Sequence, residues 1–409
     1  MKTDYEIIII GGGASGLAAA VTAAGYKKPG GVCVLDRTDR IGKKILATGG
    51  GRCNLSNKNI SVKNYHGKDM SIAEIILKKF SADDAMNFFD RLGVLCKTEA
   101  DGKIYPYCDQ ASSVLDAFRN KLSETRVDIK TNFDAVKIKK ITGGFEIISS
   151  EGETAAAKKT IVACGGSAYP SLGSSGGGFK LLASLGHSVT KLSPALVPLK
   201  TENALTKALA GIKFDGELCV VKENNILYKK CGEILFTDYG LSGIPALETS
   251  GLLHFYEDLT ARIDFMPEYS EGDIINLLRD KQKIFPQRPL EFLLSGMINK
   301  KTGMMLIKNT GYKLTAPISS LSYDDIVKLS RTVKKTELKI TGTKGWDAAQ
   351  VTAGGASLSE FNESLESKII KNFYAAGEVL DVFGDCGGYN LHWAWASGIA
   401  AGKSAAGRI

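Results

Sequence analysis

The feature that most constrains this chain is a glycine-rich turn directly after its first apolar run. Tyr5–Ile10 reads YEIIII, which is typical of a strand buried on both faces. It leads into GGGASG at positions 11–16, and the Ala-rich stretch that follows ends at Gly25, an expected helix C-cap. A second apolar run, Val32–Leu35, ends at Asp36. The order strand, glycine turn, helix, strand and acid predicts the first half of a Rossmann-like α/β domain.

Each part of this pattern suits a bound dinucleotide. A residue without Cβ at position 13 lets a pyrophosphate approach the main chain, and the N-terminus of the helix attracts negative charge. The cofactor-binding residues expected in this turn are Gly11, Gly13, Ala14, Ser15 and Gly16, with Gly11 allowing the turn off the strand and Gly16 the packing of the helix on the sheet. Asp36 is placed to accept hydrogen bonds from the adenosine ribose, although Arg37 beside it leaves a 2′-phosphate open. The turn does not distinguish NAD from FAD, and a glycine turn without a ligand is the alternative.

Length and composition narrow the class of protein. A chain of 409 residues suits two or three domains. Its net charge of +8 comes from scattered basic residues, so a solvated surface is favoured over a nucleic-acid patch. No apolar run approaches the ~18 residues that span a bilayer. The eight cysteines are dispersed and the four histidines are far apart, which predicts reduced thiols, a cytoplasmic location and no metal site.

Positions 41–57 read IGKKILATGGGRCNLSN, with no clear periodicity. We expect a loop that follows an anionic cofactor, because lysine and arginine side chains supply charge and glycines allow close approach of the main chain. The residues concerned are Lys43, Lys44, Gly51 and Arg52. A flexible surface loop is the alternative.

A second approach to the cofactor is expected after residues 160–163, an apolar strand. It ends in Cys164, Gly165 and Gly166, and small residues there let the main chain lie against a dinucleotide. An ordinary strand-to-loop turn is the alternative.

The pattern of apolar residues and glycines changes in the middle of the chain. Short strand-like runs at 218–221, 226–230, 234–236 and 261–265, with a glycine-containing loop at 238–244, predict a small β unit, for which a barrel is one arrangement. Helical spacing at 271–280, 290–299 and 323–332 predicts a small helical subdomain, and 338–341 is expected to return to the β unit.

The C-terminal part restores the glycine-rich texture. Residues 372–376 predict a strand that ends in Gly377 and Glu378, and a carboxylate there is suited to a polyol chain. GDCGGYNL at 384–391 runs into an Ala-rich helix expected at 392–401, and a helix N-terminus at 389–392 would stabilise negative charge. Gly388 and Tyr389 are among the residues expected to bind the cofactor. Two helix N-termini and two acids suit FAD better than NAD. A strand-end surface acid is the alternative for Glu378.

These motifs resemble those of the bacterial NAD(P)/FAD-dependent oxidoreductase flavoproteins, which include aminoacetone oxidase-like and bile-acid-pathway flavoproteins. The resemblance rests on GGGASG, GKKILATGGGRCN, Gly165-Gly166 with Tyr169-Pro170, VTAGG and AGEVLD-x-x-GDCGGYNL, in the same order throughout. It implies a discontinuous glutathione-reductase-type FAD-binding domain at 1–193 and 343–409. The insertion would comprise a β-barrel-like domain at 194–266 and 333–342 and a small helical subdomain at 267–332.

The resemblance also implies roles for single residues. Val136 would offer main-chain hydrogen bonds to the adenine, Glu378 would hold the ribityl chain, and Asn390 and Leu391 would lie at the flavin pyrimidine edge. The sequence departs from the family pattern at Gly177, where an acid is common, and at Asp238, where a histidine is common. Both departures lie on the expected substrate side and weaken the transfer of any particular substrate.

The expected activity is that of an FAD-dependent oxidoreductase with hydride transfer at flavin N5, with NAD(P)H as a possible electron donor and a small-molecule substrate. Oxidase and reductase both stay open. Catalytic candidates are Tyr389, His392, Cys386 and Cys53, and for each of them simple packing is the favoured alternative. A flavin-bearing RNA-modification protein and a non-enzymatic flavin-binding module remain competing interpretations. No nucleic-acid or membrane partner is expected, and the oligomeric state is not predicted.

Overall fold

A computed structural model describes residues 3–202 and 204–408. The contacts divide the chain into two compact units. The first consists of Met1–Pro194 together with Ala349–Ile409, and the second of Ala195–Ala348. We call them the discontinuous unit and the inserted unit.

The described residues form strands β1–β20 and helices α1–α12, which follow in chain order. Up to the start of the inserted unit they are β1 (Tyr5–Ile10), α1 (Ala14–Ala24), β2 (Val32–Leu35), α2 (Lys43–Ala47), β3 (Ser56–Asn57), β4 (Tyr65–His66), α3 (Ser71–Lys79), α4 (Ala82–Asp90), β5 (Cys96–Thr98), β6 (Lys103–Pro106), α5 (Ala111–Glu124), β7 (Asp128–Lys130), β8 (Ala135–Ile141), β9 (Gly144–Ser149), β10 (Thr154–Val162), α6 (Gly177–Ser184) and β11 (Ser193–Ala195). The inserted unit continues with β12 (Leu199–Thr201), α7 (Ala204–Ala208), β13 (Lys213–Lys222), β14 (Asn225–Phe236), β15 (Gly240–Ser242), α8 (Ile244–Thr249), β16 (Thr260–Asp264), α9 (Glu271–Ile284), α10 (Lys300–Asn309), α11 (Tyr323–Lys334) and β17 (Thr336–Thr343). The chain then forms β18 (Val351–Ala353), β19 (Phe373–Ala375), β20 (Phe383–Gly384) and α12 (Tyr389–Ala405).

The discontinuous unit is built on a seven-stranded sheet with the order β7-β2-β1-β10-β9-β8, in which β19 also pairs with β10. Strands β7, β2, β1, β10 and β19 run parallel, whereas β9 and β8 form an antiparallel extension. Ile7–Ile10 is buried, as a continuous apolar run in a parallel strand predicts. The carboxyl ends of the parallel strands therefore meet at one edge of the sheet, and the glycine turns follow them there.

Helices α1 and α12 pack against each other through small residues. A Cβ added to Gly398 would lie 2.3 Å from the main-chain oxygen of Ser15, and one added to Gly402 would lie 2.6 Å from that of Ala19. Such distances are far below van der Waals contact, so both positions require glycine. The close approach brings the C-terminal helix against the first helix of the chain.

The inserted unit contains a closed barrel with the order β12-β15-β14-β13-β16-β17. One hydrophobic core joins the barrel to helices α9, α10 and α11, and it includes Leu218, Ile263, Ile274, Leu306 and Leu329. The expected fold class is thereby confirmed: a Rossmann-type domain with an inserted β-barrel and helices. The exact boundaries between a barrel domain and a helical subdomain stay predictions.

Several local predictions were wrong. Residues 290–299 do not form a helix: after a 3-10 turn at Leu290–Phe292 the helix begins at Lys300, with Asn299 as its N-cap. Strands β13 and β14 are much longer than the short runs expected, and β15 lies inside the expected loop at 238–244. The segment 41–57 is ordered into α2, a 3-10 turn at Thr48–Gly51 and β3.

Candidate cofactor and active site

The N-terminus of α1 is open to a ligand. Its N-cap, Gly13, provides no side-chain hydrogen bond, and its first turn carries no acidic residue. A Cβ added to Gly13 would meet nothing within 4 Å, whereas one added to Gly16 would lie 1.8 Å from the main-chain oxygen of Gly11. Gly16 is thus required for packing, while the space beside Gly13 remains available within the described residues. This is the arrangement that a pyrophosphate needs at a helix N-terminus.

Asp36 lies at the carboxyl end of β2 and supports the turn. Its Oδ2 accepts a hydrogen bond from the Gly12 N–H at 2.7 Å. Its Oδ1 accepts from the N–H of Thr38 at 2.8 Å and from the Thr38 hydroxyl at 2.6 Å. A carboxylate offers about four acceptor positions, so about one remains for a ribose hydroxyl. Arg37 points elsewhere, to Asp134 at 3.7 Å.

The basic residues of the 41–57 segment are paired with protein acids. Lys43 forms an ion pair with Asp39. Arg52 contacts Glu99 and Asp109, which hold the pKa of its guanidinium above the usual range, and it lies 3.9 Å from the ring centroid of Tyr105. Arg52 is therefore engaged with the protein rather than free for a phosphate.

Within the same segment, the turn that carries Gly51 depends on left-handed main-chain conformations. Glycines 49, 50 and 51 have φ values of 58°, 67° and 90°. A side chain in this region is strained, so glycine allows the chain to fold back on itself before β3.

Lys44 and Glu378 join the two ends of the sequence. The Lys44 ammonium donates to Glu378 Oε2 at 3.1 Å, and the N–H of Thr352 donates to Glu378 Oε1 at 2.8 Å. A Cβ on Gly166 would lie 2.5 Å from Glu378 Oε1, so glycine lets the strand-end turn after β10 reach this carboxylate. Glu378 is therefore oriented by protein groups and keeps lone pairs that can accept from a polyol.

The other two residues of the turn after β10 differ in exposure to a ligand. A Cβ on Gly165 would meet nothing within 4 Å, as at Gly13. Gly165 is therefore a second position at which open space lies beside the main chain. The Cys164 thiol donates to the main-chain oxygen of Ile10 at 3.3 Å, and burial raises its pKa to about 12. The Cys164 side chain is therefore engaged with the protein.

A second open helix N-terminus occurs at α12. Its N-cap, Gly388, has φ 98°, provides no side-chain cap, and is followed by a first turn without acids. A Cβ there would lie 2.4 Å from the main-chain oxygen of Ser56, so β3 packs closely against this end. The Asn390 amide binds the main chain of Gly384 in both directions at 2.8 Å, and Leu391 follows it in the first turn.

The loop after β19 contacts both helices. The N–H of Gly377 donates to the Ser397 hydroxyl at 2.9 Å, and the Trp393 indole donates to the main-chain oxygen of Gly377 at 3.2 Å. A Cβ on Gly377 would lie 2.4 Å from Ser15 Oγ. The turn that carries Glu378 is therefore fixed between the start of α1 and the first half of α12.

Val136, the residue expected beside an adenine, lies at an irregularity of β8. The register with β9 passes from the pair Ala135–Ser149 to the pair Lys137–Ile148, so Val136 is the extra residue of a bulge. A bulge leaves main-chain groups outside the regular ladder, where they can bind a ligand.

Two catalytic candidates are locked into packing. His392 is fully buried; its Nδ1 lies 2.8 Å from the Ser56 hydroxyl and its Nε2 lies 2.9 Å from the main-chain oxygen of Phe80. Burial lowers its pKa to about 4, so the ring is neutral. Cys53 is also fully buried, and burial raises the pKa of its thiol to about 12. Both environments favour the packing alternative over proton transfer or nucleophilic attack.

Tyr389 and Cys386, the other two candidates, lie on the segment that begins α12. The Tyr389 main-chain oxygen accepts from the Tyr65 hydroxyl at 3.0 Å, and the two rings meet edge to face with centroids 5.9 Å apart. Tyr389 is buried and Cys386 is half-buried. The contacts of Tyr389 are those of packing against Tyr65 at the start of α12.

Sequence reasoning missed two groups at this site. Thr352 holds Glu378 and also accepts from the Ser167 N–H at 2.8 Å. His66 and Asp385 form a pair, with Nε2 and Oδ1 2.7 Å apart, next to the start of α12. Asp385 lies inside the GDCGGYNL string, which was a signal, but no local pattern marked His66.

The residues described, 3–202 and 204–408, contain no group of three or more His, Cys, Asp or Glu side chains that could hold a metal ion. Across the same residues, no helix combines the length and the hydrophobicity that a membrane crossing requires.

The profile of the HI0933-like protein Rossmann domain matches residues 5–404. The chain belongs to the HI0933-like family. Open helix N-termini at Gly13 and Gly388, main-chain approach at Gly165 and an oriented carboxylate at Glu378 fit FAD. This HI0933-like protein is an FAD-dependent oxidoreductase, which confirms the enzyme class expected from sequence.

Two curated relatives span nearly the whole chain of this HI0933-like protein. The 3-dehydro-bile acid delta(4,6)-reductase of Clostridium scindens is 38% identical over 98% of this chain and 99% of its own. The ribosomal RNA dihydrouridine synthase of Escherichia coli is 27% identical over 98% of this chain and 97% of its own.

Among solved structures, the fold is similar to that of FrdA of E. coli quinol fumarate reductase, in a form that carries a single mutation. The TM-score is 0.51 with 13% identity, over 100% of this chain and 71% of that one. At such low identity the likeness concerns the fold of the HI0933-like protein alone.

Proposed function

We propose that this protein is a reductase that saturates a carbon–carbon double bond conjugated to a carbonyl group in a small organic molecule. When bound, FAD supplies a hydride through its N5 atom. NAD(P)H is the proposed source of the electrons. In this proposal Gly13, Ala14 and Ser15 bind the pyrophosphate, Asp36 binds the adenosine ribose and Glu378 binds the ribityl chain.

The observation that carries the proposal is the open N-terminus of α12. Gly388 leaves the first N–H groups of α12 without a side-chain cap, and no acid in the first turn opposes an anion. The positive end of the helix dipole stabilises negative charge that develops next to it. The reduced isoalloxazine ring is anionic at its pyrimidine edge, so a helix end of this kind favours the reduced cofactor.

The names of the relatives support the same chemistry. The C. scindens relative is named as a delta(4,6)-reductase of a 3-dehydro-bile acid, and the E. coli relative as a dihydrouridine synthase. Both names describe the reduction of a double bond conjugated to a carbonyl. A single hydride-transfer site with variable substrate access accounts for both, and the greater identity to the first relative favours a small molecule.

The experiment begins with the absorption spectrum of the purified protein and with chromatography of the cofactor released on heating. We expect a flavin spectrum and released FAD. Anaerobic mixing with NADH or NADPH should bleach the flavin, and adding a 3-oxo-4,6-diene bile acid should restore its absorbance. A colourless protein that takes up no FAD would contradict the proposal. A flavoprotein that transfers electrons to no acceptor would point to a non-enzymatic flavin-binding module.

A ribosomal RNA substrate is the second candidate, because the E. coli relative at 27% identity carries that activity in its name. The two candidates differ in their dependence on salt. Association with RNA weakens steeply as salt rises, since it depends on phosphate neutralisation. Reoxidation of the reduced protein by unmodified ribosomal RNA, abolished by high salt, would favour the second candidate. Reoxidation by the dienone at any salt concentration favours the first.

A further inference from the structure

We propose that His66 is the proton donor of the reductase site and that Asp385 is its positioning residue. The inference rests on the proposed function, because reduction of a conjugated double bond needs a proton as well as a hydride. It assigns the proton to a side chain that the sequence motifs did not mark.

The pair has the geometry of an oriented imidazole. Nε2 of His66 lies 2.7 Å from Asp385 Oδ1, and the N–H of that nitrogen donates to the carboxylate. The N–H of Asp385 donates to the main-chain oxygen of Asn64 at 2.9 Å, which holds the segment that carries the acid. No described residue forms a hydrogen bond to Nδ1 of His66, and its side chain is 39% exposed. One nitrogen is held while the other remains able to carry a proton.

The pair is rigidly connected to the start of α12. Strand β4 pairs antiparallel with β20, with His66 opposite Phe383 and Tyr65 opposite Gly384. The Asn390 amide, in the first turn of α12, donates to the main-chain oxygens of Gly384 and Asp385 at 2.8 and 3.2 Å. The imidazole lies on the β4–β20 strand pair, and Asn390 connects that pair to the open N-terminus of α12.

The two other histidines of the discontinuous unit cannot take this role. His187 is buried between the Glu360 carboxylate and the Ser367 hydroxyl, at 2.8 and 3.0 Å. His392 is buried with both ring nitrogens bound to protein. His254 belongs to the inserted unit. Among the four histidines of the chain, His66 alone lies in the discontinuous unit with an accessible ring.

Several titratable and charged groups lie on β4, on β20 or on the residues next to these two strands. Asp385 contacts it directly, and Cys386 and Tyr389 follow on the same segment. Asp381, two residues before β20, accepts a hydrogen bond from the N–H of Lys68 at 3.3 Å. Tyr65, beside His66 in β4, is buried, which raises the pKa of its hydroxyl well above the usual value. Asp385 is therefore the group in contact that can stabilise a protonated His66.

The proposed reduction adds one hydride and one proton to the double bond. Hydride from the reduced FAD forms a C–H bond at the β carbon of the enone, and the electron pair of the double bond moves to the α carbon. The N–H bond of protonated His66 breaks and the proton forms a C–H bond at the α carbon. The imidazole becomes neutral, the flavin is oxidised, and solvent returns a proton to the ring.

The test compares His66→Gln and Asp385→Asn with the wild-type holoenzyme, with His254→Gln as a matched histidine control. Each protein is first checked for FAD content, then reduced with dithionite and mixed with a 3-oxo-4,6-diene bile acid. General acid catalysis typically contributes ~10²–10⁴-fold, so we expect His66→Gln to slow reoxidation at least ~100-fold with full FAD content. The Asp385→Asn loss should be smaller, and imidazole should partly rescue His66→Gln.

A second measurement does not depend on turnover. With ¹⁵N-labelled histidine, the ring of His66 should show one Nε2–H tautomer when neutral, and Asp385→Asn should produce a mixture. Reducing the bound FAD with dithionite should shift the His66 ring signals and leave those of His254 in place. Unmoved His66 signals would overturn the proposal.

Different results would contradict the proposed function and the role of His66. A wild-type protein without FAD, or one whose reduced flavin ignores the dienone, contradicts the proposed function. A wild-type enzyme that reduces the dienone while His66→Gln keeps its rate and its pH profile overturns the role of His66 alone. Loss of FAD binding in His66→Gln, with no ¹⁵N response in the wild type, would make the pair structural and would also overturn the role.

Discussion

The Ser15 hydroxyl donates a hydrogen bond to the main-chain oxygen of Ala376 over 3.3 Å, across 361 residues of sequence. The contact ties the first turn of α1 to the loop that follows β19. The glycine turn at 11–16 and the turn at 376–378 are therefore positioned by each other as well as by their own segments. A substitution in one turn should consequently affect the other. The space around each glycine indicates whether a substitution there would block the ligand or disturb the fold.

Gly13→Val should abolish FAD binding while leaving the apoprotein folded. A Cβ at this position meets no protein atom within 4 Å, so the added side chain occupies only the space proposed for the pyrophosphate. Flavin content after purification and the urea midpoint of the apoprotein measure the two effects. Full flavin occupancy in this variant would contradict the pyrophosphate site.

Gly16→Val is its matched counterpart and should fail for a different reason. Its Cβ would lie 1.8 Å from the main-chain oxygen of Gly11, so the turn itself has to move. We expect a loss of stability of the apoprotein, of at least the ~1–3 kcal/mol typical of overpacking. Equal stability of the two variants would show that Gly13 and Gly16 do not differ as described.

Glu378→Gln should weaken FAD binding and leave the fold intact. Hydrogen bonds to charged groups contribute roughly 1.5–3 kcal/mol, so the dissociation constant should rise by about ten- to a hundredfold. Titration of the apoprotein with FAD, followed by flavin fluorescence, provides the measurement. Lys79→Met is a suitable control, since it removes a lysine whose partner, Glu363, is exposed. An unchanged dissociation constant for Glu378→Gln would rule out the ribityl contact.

The buried His392 should make the apoprotein less stable in acid. Burial lowers its pKa to about 4, against ~6.5 in an unfolded chain. Below pH ~6.5 the unfolded state binds a proton that the folded state does not. Stability is therefore lost as the pH falls from ~6.5 to ~4, by about 3 kcal/mol in all.

The corresponding measurement is urea unfolding of wild type and His392→Gln at about pH 7 and about pH 5. The variant is expected to be less stable at neutral pH, because Ser56 and Phe80 lose an ideal partner, but its stability should depend less on pH. The difference between the two pH values is the informative quantity. Parallel pH dependences would show that His392 does not titrate as its environment indicates.

Cys53 should behave as an inert thiol. Only the thiolate reacts, and burial raises the pKa of Cys53 to about 12. With iodoacetamide at neutral pH, mass spectrometry should find the exposed Cys108 modified long before Cys53. Rapid and selective modification of Cys53 in the folded apoprotein would restore it as a catalytic candidate.

Much of the fold could be predicted from local sequence because glycine and apolar spacing act over short distances. The unit β1-α1-β2 was predicted from residues that are close in the chain, and the start of α12 from GDCGGYNL. The helix predicted at 290–299 was wrong. Leu290, Leu293 and Leu294 have helical spacing and are buried, but Gly296 has φ 77° and the chain turns there. Apolar spacing indicates burial, and a turn can satisfy it as well as a helix can.

The site was predictable only in part. Glycines that need close approach are visible in the sequence, but the partners of side chains are not. Lys44 meets Glu378 across 334 residues, and Arg52 is held by two acids rather than by a phosphate. The pairing of β4 with β20 brings His66 to the Asp385 carboxylate, and no local sequence pattern predicts that pairing.

The division of the cofactor-binding unit between the two ends of the chain has a consequence for its synthesis. When Pro194 has been made, β10 still lacks β19 and α1 still lacks the helix that covers it. About 200 more residues must be translated, which at typical rates of ~5–20 residues/s takes roughly 10–40 s. During that interval the apolar face of a nascent half-domain is exposed on the ribosome. Chaperone demand should therefore be greatest before α12 emerges, and FAD can be captured only after α12 has been made.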